Sequence, residues 1–202
     1  MIIKVNLQNP QERLLRQAVD VLLGGGLIAY PTDTTYAIGC DLYNLKGIAR
    51  IYQLKRRPTS KPFSFICHDL KNISEYAQVG NYAYKVMKRL LPGPYTFVLE
   101  ASRQVPKILQ TRRRTVGIRV PDHPIALELV RLLGHPIIST SASLPDNPVE
   151  SDPYEIEAKF KPQLALVIDG GLIPPAPSSI ISLMDDVPEV IREGKGSVAT
   201  FT

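Results

Sequence analysis

Residues 115–140 read TVGIRVPDHPIALELVRLLGHPIIST, and their order decides the fold class. Residues 115–120 have the look of a strand, and residues 123–133 of a helix. Pro124 stands near the helix start, where its missing N–H leaves no bond unmade, and Gly134 stands just past the end, where glycine enters the left-handed cap freely. Residues 137–140 return to a strand. The same alternation extends outward in both directions. Towards the N-terminus, strands are expected over 2–5, 27–30, 63–67 and 95–100, and helices over 14–22, 45–55 and 82–91. Asn9 is expected to cap the first helix, with Pro10 at its first position and Glu12 completing a capping box, and Gly24-Gly25-Gly26 to end it. Towards the C-terminus, Asp152 and Glu155 open a helix over 153–160, and strands follow over 164–169, 179–183 and 189–192. Such alternation predicts an α/β fold with helices packed on a sheet. Because the last strands follow one another without helices, the sheet is expected to be mixed. No linker divides the chain, so residues 1–202 are expected to form a single domain.

Composition agrees. With 202 residues, 44% of them hydrophobic and 21% charged, the chain has the material for a core, which excludes a disordered chain, a collagen and a coiled-coil rod. No stretch approaches the roughly 20 apolar residues of a membrane span, and residues 1–7 lack the apolar run of a signal peptide. Two cysteines, Cys40 and Cys67, form no CxxC pair, so a disulfide framework and a thiolate zinc site are both disfavoured and the cytoplasm is the expected compartment. Charge is uneven: residues 1–145 carry 20 Lys and Arg against 9 Asp and Glu, whereas residues 146–202 carry 4 against 10. The first part either meets an anion, such as a nucleotide, RNA or another phosphate, or presents a basic surface that serves solubility.

Three segments have the residue types for chemistry. Tyr30-Pro31-Thr32-Asp33-Thr34-Thr35-Tyr36 gathers hydroxyl and carboxylate groups that either bond a polar ligand or satisfy their own turn. Lys55-Arg56-Arg57-Pro58-Thr59-Ser60-Lys61-Pro62 packs four cations into a proline-restricted loop, which suits a phosphate or carboxylate unless solvent screens it. Ile137-Ile138-Ser139-Thr140-Ser141-Ala142-Ser143 runs from a strand into hydroxyls, either an anion nest or an ordinary polar turn. It lacks the lysine and glycines of a P-loop. His68, His123 and His135 are scattered, with no HExxH or GxSxG, so zinc and serine hydrolase readings lack support and no metal site is expected. Arg112-Arg113-Arg114, without interleaved aromatics, reads as a phosphate contact.

Together these segments resemble the YrdC/YciO family over about residues 9–196. The resemblance rests on residues 30–39, on Lys55-Arg56-Arg57-Pro58 with Lys61-Pro62, on Leu91-Pro92-Gly93-Pro94-Tyr95-Thr96, on Gly117-Ile118-Arg119-Val120-Pro121 and on Ser139-Thr140-Ser141-Ala142. Pro177-Ser178-Ser179-Ile180 and Val190-Ile191-Arg192-Glu193-Gly194 add to it. The resemblance implies a twisted sheet with a basic concave face. For the catalytic branch it implies synthesis of threonylcarbamoyl-adenylate from ATP, threonine and bicarbonate, the first step toward threonylcarbamoyladenosine in transfer RNA. Carried over by position, Lys55 and Arg57 are the catalytic cations on the triphosphate and carbamate. Thr34 and Tyr36 line the amino-acid pocket, Arg119 pairs with the threonine carboxylate, and Ser141, Ser143, Ser179 and Arg192 hold the nucleotide. Magnesium enters with ATP, and no prosthetic group is implied.

Two departures point to the YciO branch, which is linked to RNA binding. The synthase branch reads Ser-Ala-Asn, a further residue and Ser-Gly where this chain has Ser141-Ala142-Ser143-Leu144-Pro145-Asp146. Asn9-Pro10-Gln11-Glu12-Arg13-Leu14 and residues 150–156 are also closer to that branch. The expectation is therefore a YciO-type protein that binds double-stranded or transfer RNA, with Arg56, Lys61, Arg112, Arg113 and Arg114 on the RNA, and retains an ATP pocket. An active synthase is the alternative, and a structural partner in a transfer-RNA modification complex a third reading. No membrane partner is expected.

Overall fold

Asn6, not Asn9, organises the N-terminal turn. Its Oδ1 accepts the N–H groups of Gln8 and Asn9, while its own N–H donates to Gln11 Oε1. The first helix therefore starts late, at Glu12, behind Gln11 and without a side-chain cap, which corrects the Asn9 capping box. In this computed structural model, residues 1–58, 60, 61, 63–110 and 113–201 are described. The first half runs β1 (Ile2–Lys4), α1 (Glu12–Leu23), β2 (Ile28–Pro31), β3 (Tyr36–Asp41), α2 (Leu45–Leu54), β4 (Ser64–Ile66), α3 (Leu70–Tyr76) and β5 (Ala77–Gln78). The second runs α4 (Asn81–Leu90), β6 (Tyr95–Ala101), β7 (Thr115–Arg119), α5 (Pro124–Leu133), β8 (Ile137–Ser141), α6 (Pro153–Phe160), β9 (Leu166–Asp169), β10 (Ser179–Ser182) and β11 (Glu189–Arg192).

The strand, helix and strand read from residues 115–140 are β7, α5 and β8. Pro124 opens α5, and Gly134, at φ 83°, closes it by donating its N–H to Val130 O. Asn44 caps α2 by accepting Gly47 N–H at 2.9 Å, and Asp152 caps α6 by accepting Tyr154 N–H at 2.8 Å. Each bond satisfies a donor that the first helical turn leaves unpaired. β3, α3 and β5 are additions to the expected elements.

One mixed sheet holds the strands, in the order β1-β9-β2-β3-β8-β4-β7-β6-β10-β11, with β5 paired to β6. β9 is parallel to β1 and β2, β4 to β7, and β6 to β10, and the other pairs are antiparallel. The two faces have different fates. On one, Phe65, Phe97, Ile118, Ile138 and Ile181 pack under α2, α3, α4 and α6 in a continuous apolar core. On the other, α1 and α5 lie together over Ile28, Tyr30, Ile137, Leu166 and Ile168, on the β9-β2-β3-β8 part of the sheet. Further along that second face, the period-two alternation presents Ser139, Ser64, Gly117 and Thr96 opposite the large apolar residues. Small hydroxyl residues replace a helix-covered core here, and the face stays open.

Candidate functional site

A cavity of about 290 Å³ occupies that open face, floored by Ser139, Ser64, Thr96 and Ile180 from four different strands. The turn over residues 32–35 forms one wall. Thr32 Oγ1 donates to Thr35 O at 2.6 Å and accepts the N–H groups of Thr34 and Thr35, so the hydroxyl cluster partly satisfies its own turn. Thr34 and Thr35 nonetheless line the cavity.

Three guanidinium groups converge on it. Arg57 follows the end of α2, with its N–H bonded to Tyr52 O and its guanidinium 5.2 Å from the centre of the Phe63 ring. Arg119, at the end of β7, donates from Nη2 to Asp33 Oδ1 at 2.7 Å, and both side chains are about nine-tenths buried. Arg192, at the end of β11, donates from Nε and Nη2 to Ser178 O at 3.1 and 2.7 Å. Burial lowers the pKa of all three; Arg57 further depresses Arg192, whereas at Arg119 the Asp33 charge, which raises it, outweighs Arg192, which lowers it. Groups that disfavour each other's charge are relieved by an anion placed between them.

Lys55 stands at the cavity's edge. Its ammonium donates to Ser141 O at 3.2 Å and to both O and Oγ of Ser143 at 2.6 Å. Burial, and then the charge of Arg57, push its pKa down to about 8.

The expected residues divide. Thr34, Arg57, Arg119, Ser141 and Arg192 line the cavity, and Lys55 meets Ser141 and Ser143 beside it. Tyr36 is buried in the helix-covered core; its hydroxyl donates to Gly171 O at 2.8 Å and accepts Gly170 N–H at 3.1 Å, holding that turn. Ser179 is also buried, its hydroxyl donating to Gly196 O and accepting Gly194 N–H at 2.9 Å, so it clamps the tail. Arg56 and Lys61 are exposed on the loop that carries Arg57. Arg113 and Arg114 are exposed ahead of β7, and at about 3.3 Å per residue Arg114 lies roughly 17 Å from Arg119. Arg112 lies outside the described residues. Among the described residues no group of three His, Cys, Asp or Glu side chains is arranged to hold a metal ion, and no helix is long and apolar enough to cross a membrane. Thr96, Pro177 and Ser178, quoted above only as part of the resemblance and given no role, line the cavity, as does Ser64, which the sequence reading did not single out. The signal for Ser64 and Thr96 was a hydroxyl beside a large apolar residue within a short strand.

A family model described as "Telomere recombination", that of the Sua5/YciO/YrdC proteins, matches residues 20–194. YciO of Escherichia coli (strain K12) is 43% identical over 199 residues, covering 98% of this chain and 97% of that protein. The crystal structure of E. coli YciO superposes with a TM-score of 0.95 at 41% identity, covering 100% of this chain and 99% of the other. The threonylcarbamoyl-AMP synthase of Mus musculus is 35% identical over 181 residues, covering 90% of this chain and 64% of the synthase. P. abyssi Sua5, solved in complex with L-threonine, gives a TM-score of 0.92 at 29% identity, covering 99% of this chain and 59% of that one. By profile, sequence and fold, the chain belongs to the Sua5/YciO/YrdC family.

Proposed function

We propose that the cavity binds ATP and threonine and forms threonylcarbamoyl-adenylate from them and bicarbonate. The observation that carries this reading is the convergence of Arg57, Arg119 and Arg192 on a small hydroxyl-lined cavity. Bicarbonate and the threonine amine condense to a carbamate with loss of water. A carbamate oxygen then attacks the α-phosphorus, and pyrophosphate leaves. Negative charge gathers at phosphorus, so the protein's task is positioning and electrostatic stabilisation. Arg57 and Arg192 face the phosphates, and Arg119 presents donors to the amino-acid carboxylate. Ser141 and Thr34 offer hydroxyls to the same reactants. Magnesium arrives on the ATP phosphates as part of the substrate. A cavity of about 290 Å³ is at the small end for ligand sites, so the reacting groups fill it and the nucleoside extends to its rim.

Incubation with ATP, threonine, bicarbonate and magnesium tests the reading, and pyrophosphate release above the level without threonine is the expected result. In an ATP titration, Arg57→Lys keeps the charge but loses the planar fork. A charge-assisted hydrogen bond contributes about 1.5–3 kcal/mol, so affinity should fall about tenfold or more. Parental ATP affinity in this variant moves the phosphates off Arg57. Tight ATP binding without pyrophosphate release leaves a nucleotide-binding protein and removes the synthase.

The exposed cations support a second activity, binding of double-stranded or transfer RNA, with Arg56 and Lys61 near the cavity and Arg113 and Arg114 at the far end of β7. RNA affinity should then fall with salt, each phosphate contact adding about −0.7 to −0.9 to the log–log slope. Replacing Arg113 and Arg114 with alanine should weaken all RNA sequences alike and make the slope shallower by about 1–2. Affinity that is flat between low and moderate salt eliminates the RNA partner.

A further inference from the structure

We infer that Ser143 is a latch on Lys55, a positioning residue that holds the lysine against the 141–143 loop and sets how readily a nucleotide recruits it. The inference rests on the nucleotide reading above and adds a determinant of affinity. A lysine ammonium has three N–H donors. Lys55 has three oxygen partners within 3.2 Å, two of them from Ser143. With those bonds made, no donor remains for a phosphate. Arg57, two residues on, lines the cavity, whereas Lys55 turns to its edge.

The anchorage is stiff at both ends. Lys55 ends α2, its N–H bonded to Ile51 O, so its Cα is fixed. The loop is tied by Ser143 N–H to Ser141 O and by Glu150 N–H to Ala142 O, both at 2.9 Å. Burial and then the like charge of Arg57 disfavour the ammonium, which leaves it reliant on these neutral oxygens. To give an N–H to a phosphate, Lys55 must release one of its three partners. Two are backbone carbonyls that the loop cannot withdraw. The third is the Ser143 hydroxyl, which has Ser141 Oγ at 3.5 Å as an alternative neighbour and so is the bond to exchange. Residue 143 therefore sets the cost of recruiting Lys55.

The test measures the latch and the nucleotide separately, on the full chain. A brief, limiting pulse of N-acetoxysuccinimide, read by peptide mass spectrometry, reports how available Lys55 is. Ser143→Ala should speed Lys55 acetylation several-fold over the parent, and Ser143→Thr, which keeps the hydroxyl, should not. In ATP titrations Ser143→Ala should bind about tenfold tighter or more, the worth of one released charge-assisted hydrogen bond, and Ser143→Thr should match the parent. Acetylation of Lys55 at the parental rate in Ser143→Ala overturns the latch. So does weaker ATP binding in that variant, which would make Ser143 a direct nucleotide contact. Faster acetylation with no ATP binding in any form overturns the nucleotide reading instead, and with it the claim that the latch acts on a phosphate.

Discussion

Replacing Arg119 with methionine is expected to lower the melting temperature by roughly 6–20 °C. Arg119 and Asp33 form a charge pair at 2.7 Å with side chains only 10% and 8% exposed. Asp33 Oδ2 is buried with no hydrogen-bond partner among the described residues, so its charge relies heavily on the guanidinium. Removing one member of a buried pair leaves the other uncompensated, at a cost of about 3–5 kcal/mol. In a chain of 202 residues each kcal/mol shifts the midpoint by about 2–4 °C. Replacing Asp33 with asparagine in the same chain removes both charges and should recover most of the loss. It should not recover amino-acid binding, because the arginine donors stay absent. A single variant that melts within about 2 °C of the parent would show that Asp33 does not rely on the guanidinium.

Gly117→Leu should do the opposite, sparing the fold and removing the ligand. Gly117 lies between Ser64 of β4 and Val98 of β6 in the sheet register. A Cβ built there meets Thr96 Cγ2 at 3.4 Å and Ser64 Oγ at 3.5 Å, ordinary contacts that the backbone tolerates. Both neighbours floor the cavity, so a leucine side chain rises into the space the reactants need. A steric penalty of about 1–3 kcal/mol corresponds to a loss of ATP affinity of about 5- to 150-fold, with the melting point changed by only a few degrees. Gly117→Ala should stay within threefold of the parent. Unchanged ATP binding in Gly117→Leu would place the nucleotide away from the sheet.

Much of this architecture was written in the local sequence, and what was not has identifiable causes. Proline and glycine bracket α5, so the unit from β7 to β8 is legible from residue types alone. β3 was not, because all six of its residues are buried and it shows no alternation. α3 is seven residues long, too short for a helical period to register. The Asn9 cap failed because Asn6 captures the turn first. In the site, the cations were visible as charge and Ser139 as part of a hydroxyl run, whereas Ser64 was not, since a lone hydroxyl in a short strand reads equally well as a solvent face. Tyr36 shows the limit of motif adjacency: it follows the lining residues Thr34 and Thr35, yet its side chain enters the opposite core. Arg113 and Arg114 adjoin a site strand in sequence, but the length of β7 separates them from Arg119.

The last strands have a consequence for biosynthesis. β10 inserts beside β6 and brings Ser178 to the cavity, β11 brings Arg192, and Lys195 reaches across to donate to Asp33 O. Arg57 and Arg192 are 135 residues apart, so at about 5–20 residues per second the ribosome delivers them roughly 7–30 s apart. Within that interval β6 is made well before β10 and lacks that neighbour until residues 179–182 follow, and the acidic C-terminal stretch that offsets the basic first part arrives only in its later portion. No reactant can then serve as a scaffold for the emerging polypeptide, because the enclosure that would grip it does not yet exist. The cavity is therefore complete, and able to hold the proposed ligand, only after the last two strands have paired.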